Sequence, residues 1–235
     1  MTASKHMAPK KLDEEGAAIL RQILERQVYR QLMAANIRGH GLKFVPDPGR
    51  KQLLVRDLHD GLETLEDARD LYRELGGDDL ETAVRPRMEK IPYPQSRLEL
   101  AICLVVCDLA EHVAMESYQD CSIEAFANIA RRTLEHGRVA TEAAVNLFEL
   151  FCADATQLPH AQQMFSRWFS IAVRSLGRPG SPGDQRAVAL GLRSRGCGES
   201  IRLYIERLQP FIEACNLKLP DAAQTGLEIP KPKKS

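Results

Sequence analysis

The chain has 235 residues, of which 44% are apolar and 27% are charged, and Lys plus Arg balance Asp plus Glu at 32 each. This length is typical of one ordinary domain, and this composition excludes a disordered chain. The charge balance predicts neither nucleic acid nor an anionic membrane as a partner, because no net field would attract a polyanion.

The N-terminal segment, residues 1–11, is polar and basic with no apolar stretch behind it, unlike a signal peptide. The longest apolar run, 100–107, is much shorter than the roughly 20 residues that span a bilayer. Six cysteines are scattered without a CxxC pair, which is typical of reduced, mostly buried thiols. We therefore predict a cytoplasmic protein that does not enter a membrane.

Apolar residues recur at helical spacing along most of the chain and predict an all-α fold. In chain order, the predicted helices span about 13–38, 52–75, 79–90, 96–118, 123–153, 158–176 and 186–215, with an interruption of the last one near Gly196 and Gly198. Gly39 and Gly41 are expected to end the first helix, and Gly76-Gly77 the second. The loop 177–184, rich in glycine and proline, separates the last two helices.

The helix at 96–118 is apolar nearly all round, which predicts a central, buried position. Four long helices in two hairpins, followed by additional helices, are typical of a bundle. We predict a flexible N-terminus at 1–12, one helical domain at 13–219 and a flexible tail at 220–235.

Three groups of residues carry a resemblance to a known family. They are Ala68-Arg-Asp-Leu-Tyr-Arg-Glu-Leu-Gly-Gly77; Trp168-Phe169 with Leu176-Gly-Arg-Pro-Gly-Ser181; and Gly191-Leu192-Arg193 with Glu199, Arg202 and Asn216-Leu-Lys-Leu-Pro220. In order and spacing, over about 22–220, they resemble the phenylacetic-acid-catabolism group of ferritin-like proteins, the family of the multicomponent phenylacetyl-CoA epoxidase.

This resemblance implies a ferritin-like four-helix bundle core with additional C-terminal helices. It also implies one of two roles: a di-iron oxygenase subunit acting on a CoA thioester, or an iron-free structural sister subunit. The metal ligands distinguish these roles. A carboxylate-bridged di-iron site takes one carboxylate from each of two helices and a Glu-x-x-His pair from each of the other two.

The first hairpin lacks such ligands at its inward positions. At about 100° per residue, the inward polar residues of the first helix are Gln27 and Gln31. The inward residues near the middle of the second helix are Gly61 and Thr64, so Gly61-x-x-Thr64 stands where a Glu-x-x-His belongs. Neutral Gln and Thr oxygens are poor substitutes for the charged ligands of iron.

In the second hairpin, Asp108 and Glu111 are the only candidate carboxylates directed at the bundle axis. Two buried carboxylates need a cation or a basic partner. The basic candidates on the paired helix are Arg131, Arg132 and Arg138. The inward residues of that helix are Thr133, Gly137 and Thr141, without Glu-x-x-His. Asp108 and Glu111 therefore have three open roles: structural ion pairs, solvent-exposed groups or metal ligands.

The leading interpretation is an atypical ferritin-like subunit without a standard di-iron site and without a cofactor. It would serve as a scaffold or bind an acyl-CoA or another small molecule, and its ligand-binding interior would be formed by Gln27, Gln31, Thr64, Asp108 and Glu111. The alternative is an active di-metal oxygenase that binds iron through offset ligands. Those ligands would come from Glu25, His59, Glu63, Glu66, Asp108, Glu111, Glu135 and His136. A second alternative is an all-α protein-interaction module.

The expected partner is a second chain. The family resemblance implies assembled subunits, and the helix at 96–118 has apolar side chains on every side. We predict a homodimer or a hetero-oligomer with another ferritin-like subunit, with the surface near helices 52–75 and 96–118 buried at the contact. A CoA thioester is the candidate small ligand.

Overall fold

The computed structural model describes residues 12–89, 92–135, 139–221 and 225–226. Every regular element in these ranges is a helix, which confirms the predicted all-α fold. The α-helices are α1 (Glu14–Gly41), α2 (Pro48–Leu62), α3 (Leu65–Glu74), α4 (Leu80–Met88), α5 (Arg97–Glu116), α6 (Glu124–Glu135), α7 (Val139–Cys152), α8 (Leu158–Ser175), α9 (Pro182–Ala189) and α10 (Cys197–Ala214), and a 3-10 turn spans Leu42–Phe44.

Local sequence signals fix several helix ends. Ser96 caps α5 by accepting the backbone N–H of Glu99 at 3.1 Å, as N-cap serines do. At the end of α3, Gly76 has a φ of 82°, and the N–H of Gly77 donates to the carbonyl of Tyr72 at 2.9 Å. This is the expected termination by glycine, because a residue with left-handed backbone angles allows the last carbonyls of the helix to accept hydrogen bonds.

The helices pack in two groups. Helix α1 contacts α2, α3 and α4, whereas α5 contacts α6, α7, α8 and α10. The two groups meet where α1 contacts α5, α2 contacts α7 and α3 contacts α6. Two adjacent helical hairpins make contacts of this kind. The ferritin-like identity of this arrangement stays a prediction.

Helix α5 lies at the centre, as its apolar sequence predicts. Its residues from Glu99 to Val106 are all buried. Helix α8 is attached to it by Trp168, whose Nε1 donates to Oε1 of Glu99 at 3.1 Å. Helices of the same chain cover α5 on several sides. The predicted contact of a second chain near this helix stays a prediction.

The first helix is longer than predicted. It continues through Gly39 to Gly41, so the expectation that these glycines end it was wrong. A Cβ added at Gly41 would lie 2.6 Å from Cδ2 of Leu100. Gly41 therefore serves the close approach of α1 to α5, and the absence of its side chain is a packing requirement.

Other predicted helices are divided. The second one is interrupted at Thr64, whose φ and ψ of −89° and 3° separate α2 from α3. The last one is divided more widely than expected, because α9 ends at Ala189 and α10 begins at Cys197. The predicted helix at 123–153 corresponds to α6 and α7, and the residues between them, 136–138, lie outside the described ranges.

The predicted flexible ends fall mostly outside the described ranges, at 1–11, 222–224 and 227–235. Within the predicted tail, Pro220 and Thr225 are described, and both are buried. Among the helices of the described ranges, none combines the length and the apolar character that crossing a membrane requires.

Candidate functional site

The candidate site is the polar interior between the two hairpins. It draws Gln27, Gln31 and Arg38 from α1, Thr64 from the α2–α3 junction, and acidic groups from α5. Gln27 and Gln31 are 0% and 3% exposed, as their inward phase on α1 predicts, and Thr64 is 1% exposed. The structure therefore brings the inward polar residues of the first hairpin into the protein interior.

Gln31 and Thr64 form a direct contact across the first hairpin. Nε2 of Gln31 donates to Oγ1 of Thr64 at 2.7 Å. Oε1 of Gln31 is buried and has no hydrogen-bond partner within the described residues. The pair connects α1 to the α2–α3 junction through neutral groups, where a di-iron protein would have charged ligands.

Gln27 joins the first hairpin to α5 and to α8. Its Nε2 donates to Oε1 of Glu111 at 3.2 Å. Its Oε1 accepts from Nε and Nη2 of Arg30 at 3.2 and 2.8 Å, and Nη1 of Arg30 donates to the carbonyl of Ser175 at 2.9 Å. Arg30 is 3% exposed, and this burial lowers the pKa of its guanidinium. Gln27, Arg30 and Glu111 form one hydrogen-bonded network.

Arg38 provides the counter-charge for Asp108. Its Nη2 donates to both carboxylate oxygens at 2.8 Å, and both side chains are about nine-tenths buried. Burial acts to lower the pKa of Arg38, but the charges of Asp108 and Glu111 more than offset it, so the pKa lies above its ordinary value. Asp108 is therefore a structural ion-pair partner, which was one of its three predicted roles.

The basic partner differs from the arginines expected on the paired helix. Arg131 donates to Glu124, and Arg132 contacts Glu63 and Asp67 at the surface. Arg138 lies outside the described residues. The counter-ion comes from α1 because that helix crosses α5 closely enough for the long side chain of Arg38 to reach Asp108.

A cavity of about 60 Å³ lies beside this ion pair. Its wall includes Arg38, Asp60, Gly61, Asp108, Glu111 and His112. A Cβ added at Gly61 would have no atom within 4 Å. The space that a metal-ligating side chain at position 61 would occupy is therefore open, and the guanidinium of Arg38 lies at its edge.

Of the alternative iron ligands that the structure describes, Asp108 and Glu111 line this cavity and the others do not. Glu63 and Glu66 are exposed and pair with Arg132 and Arg69, and His59, at 82% side-chain exposure, lies next to Asp60. Glu25 accepts from the hydroxyl of Tyr72 at 3.0 Å. Glu135 is exposed, and His136 lies outside the described residues. In the part of the chain that the structure describes, no three His, Cys, Asp or Glu side chains are placed to hold a metal ion.

The donor set does not fit a di-iron centre. Its inward groups are amide and hydroxyl oxygens, the carboxylates of Asp108 and Glu111, which Arg38 and Gln27 already engage, and the guanidinium groups themselves. Asp57 and Asp60 also line the cavity, but they form no metal-binding group of three with their neighbours in the described part of the chain. A di-iron centre of this type is held by carboxylates together with imidazoles, and a fixed positive charge at the same place opposes a dication. No step of metal chemistry can be derived from these residues.

Sequence reasoning missed both arginines of the interior. Arg38 follows Leu20 by 18 positions, or about five helical turns, so it lies on the same face of α1. Helical periodicity could therefore have predicted that its side chain points inward. Arg30 lies at the margin of that face. Its partner Ser175 is 145 residues away, and no local pattern indicates this contact.

The thiols add no reactive group to the interior. All six cysteines are free, and all but Cys107 are buried. Burial raises the pKa of Cys103 well above its ordinary value, with a further contribution from Cys107, and raises the pKa of Cys121 to about 11. The thiols of Cys103 and Cys121 are therefore protonated at neutral pH and behave as small apolar side chains.

No family model matches the chain, and no curated protein matches it. The resemblance to the phenylacetic-acid-catabolism group therefore stays a prediction, which rests on the motifs of the sequence alone.

Proposed function

We propose that this chain is a non-catalytic ferritin-like subunit that assembles with a second ferritin-like chain, either a copy of itself or a metal-bearing relative. One observation carries the proposal: the buried Arg38–Asp108 pair lies in the interior where an oxygenase of this type would hold iron. Arg30 adds a second buried guanidinium on the same helix. Arg38 lies in the wall of the cavity beside the pair, where its fixed positive charge opposes a dication.

The same interior supports a structural role. Hydrogen bonds join Gln31 to Thr64, Gln27 to Glu111 and Arg38 to Asp108, so α1 is tied both to its own hairpin and to α5. Buried hydrogen bonds of this kind fix the relative position of helices, although Oε1 of Gln31 and Nε of Arg38 have no partner within the described residues. The network therefore holds the two hairpins together by side-chain contacts. In a di-iron protein, the metal centre connects the hairpins in this way.

The surface for the second chain lies on α2 and α7. A cavity of about 60 Å³ opens between α2, α5 and α7, with Leu53, Leu54, Leu104 and Leu147 in its wall. Leu150, which follows Leu147 by one helical turn, is 75% exposed. In the proposed assembly, the second chain covers this apolar cavity and the exposed leucine beside it, as an interface core does. Leu100 and Leu104 of α5 also lie in the cavity wall, so this surface includes both predicted helices, 52–75 and 96–118.

Light scattering and co-purification test the proposal. For a homodimer, the purified chain has twice its monomer mass at micromolar concentration, and Leu150→Asp returns it to the monomer, because a buried charge opposes association. Val188→Asp on α9 is the matched control, since Val188 is also exposed, at 39%, and lies away from this surface. It should leave the mass unchanged.

For a hetero-oligomer, the tagged chain co-purifies from its native host with a chain that carries the Glu and Glu-x-x-His ligands of a ferritin-like protein. Leu150→Asp abolishes that capture and Val188→Asp does not. A monomer that captures no ferritin-like chain contradicts the proposal, and so does an oligomer that both substitutions leave intact.

A further inference from the structure

A second polar cavity, of about 90 Å³, lies at the other end of α1. It is enclosed by α1, the loop before α9, the first turn of α9 and the start of α10. This volume is well above the roughly 10–15 Å³ that one water molecule needs. Three arginines, Arg26, Arg178 and Arg193, contribute to its wall together with one acidic residue, Asp184.

The carboxylate of Asp184 is already engaged. It accepts the backbone N–H of Cys197 at 2.9 and 3.1 Å and the N–H of Gly180 at 3.3 Å. It also pairs with Nη1 of Arg193 at 3.1 Å. Asp184 therefore caps the start of α10 and neutralises one arginine, and the other two positive charges of the cavity remain.

Those two charges have no internal partner. Within the described residues, neither Arg26, which is half-buried, nor Arg178, which is exposed, forms a side-chain hydrogen bond or an ion pair. Arg193 is 4% exposed, and its Nε is buried without a hydrogen-bond partner in the same part of the chain. A buried donor without an acceptor costs free energy unless something else fills that role.

Gly177 makes room for this arrangement. Its φ is 105°, and a Cβ added there would lie 2.6 Å from Nη1 of Arg26 and 2.7 Å from Sγ of Cys197. The guanidinium of Arg26 thus rests against backbone that only glycine allows. The loop conformation holds the positive charge beside the cavity.

We propose that this cavity is an oxyanion site that takes a phosphate group, either inorganic phosphate or a phosphate monoester. Guanidinium groups match the oxygens of phosphate in charge and in geometry. Ser181 and Gly183 bring the first turn of α9 to the same cavity, where the positive end of the helix dipole adds to the attraction. The site is independent of the polar interior between the hairpins.

Calorimetric titration of the full chain with sodium phosphate, at constant ionic strength, tests the site. We expect saturable binding of about one phosphate per chain. Arg178→Gln and Arg26→Gln should each weaken it at least about tenfold, because a hydrogen bond to a charged group contributes that much or more. Arg174→Gln is the control: Arg174 is exposed and donates to the carbonyl of Ser170, so its loss should change the affinity less than about twofold.

Phenyl phosphate, titrated in parallel, identifies the source of the ligand. Tighter binding of the ester than of inorganic phosphate supports a phosphorylated metabolite, and equal or weaker binding supports free phosphate. The proposal is overturned if neither compound binds saturably at millimolar concentrations. It is also overturned if Arg174→Gln weakens binding as much as Arg178→Gln, since the attraction would then be diffuse surface charge.

Discussion

Replacing Arg38 by Met removes the guanidinium that donates to both oxygens of Asp108 and leaves that carboxylate buried. Both side chains are about nine-tenths buried, so little water can replace the lost partner. Breaking a buried ion pair on one side costs about 3–5 kcal/mol of the free energy of unfolding. For a chain of this size, that corresponds to a fall of roughly 6–20 °C in Tm.

Denaturant unfolding, followed by circular dichroism, measures this cost. The double variant Arg38→Met with Asp108→Leu should recover most of it, because no unpaired charge is then left in the interior. Arg132→Met is the matched control, since Arg132 pairs with Glu63 and Asp67 at the surface and its loss should cost at most about 1 kcal/mol. The reasoning fails if Arg38→Met costs no more than Arg132→Met, or if the double variant is no more stable than the single one.

Three further outcomes are expected. Thr64→Val removes the hydroxyl that accepts from Gln31 and should lower the free energy of unfolding by about 1–3 kcal/mol in denaturant. Adding Gln31→Leu should recover part of this loss. If the losses of the two single variants simply add in the double variant, the two side chains are not coupled. The free energy of unfolding should fall as pH rises from 9.0, the ordinary thiol pKa, through about 11, the raised pKa of Cys121. The reason is that the thiol loses its proton at lower pH in the unfolded chain than in the folded one. In Cys121→Ala, this part of the decrease should be absent when unfolding is measured as a function of pH. Gly177→Ala should lower Tm more than Gly180→Ala. Both glycines have a positive φ, but only at Gly177 would the new Cβ lie within 3 Å of other atoms. Equal decreases of Tm in thermal unfolding would show that crowding at Gly177 is unimportant.

Helical periodicity was sufficient to predict the all-α fold and the inward face of α1. Gln27 and Gln31 are buried where their phase predicts, because α1 is a single uninterrupted helix and each position follows from the one before it. The division between α2 and α3 at Thr64 has no such signal. Gly61 lies in the last turn of α2, but a single glycine inside a helical pattern does not predict an interruption. The interruption coincides with a hydrogen bond from Gln31, which lies 33 residues before Thr64 in the chain.

Contacts between distant residues were the part that the sequence could not supply. Asp108 needed a basic partner, and this followed from the cost of burying a carboxylate. Asp108 pairs with Arg38, and not with an arginine of the paired helix, because α1 crosses α5 at this point. Gly41 allows the close approach of α1 to α5. The phosphate site likewise combines residues from both ends of the chain, such as Arg26 and Arg193, that no single motif connects.

Iron content tests the central claim most directly. The purified chain, expressed in iron-replete medium, should hold less than about one iron per two molecules by elemental analysis, because Gln31 and Thr64 supply only neutral oxygens and Arg38 opposes a dication. About two tightly bound irons per chain, lost on replacing Glu63 or Glu66 by Ala, would contradict the account and establish the oxygenase alternative.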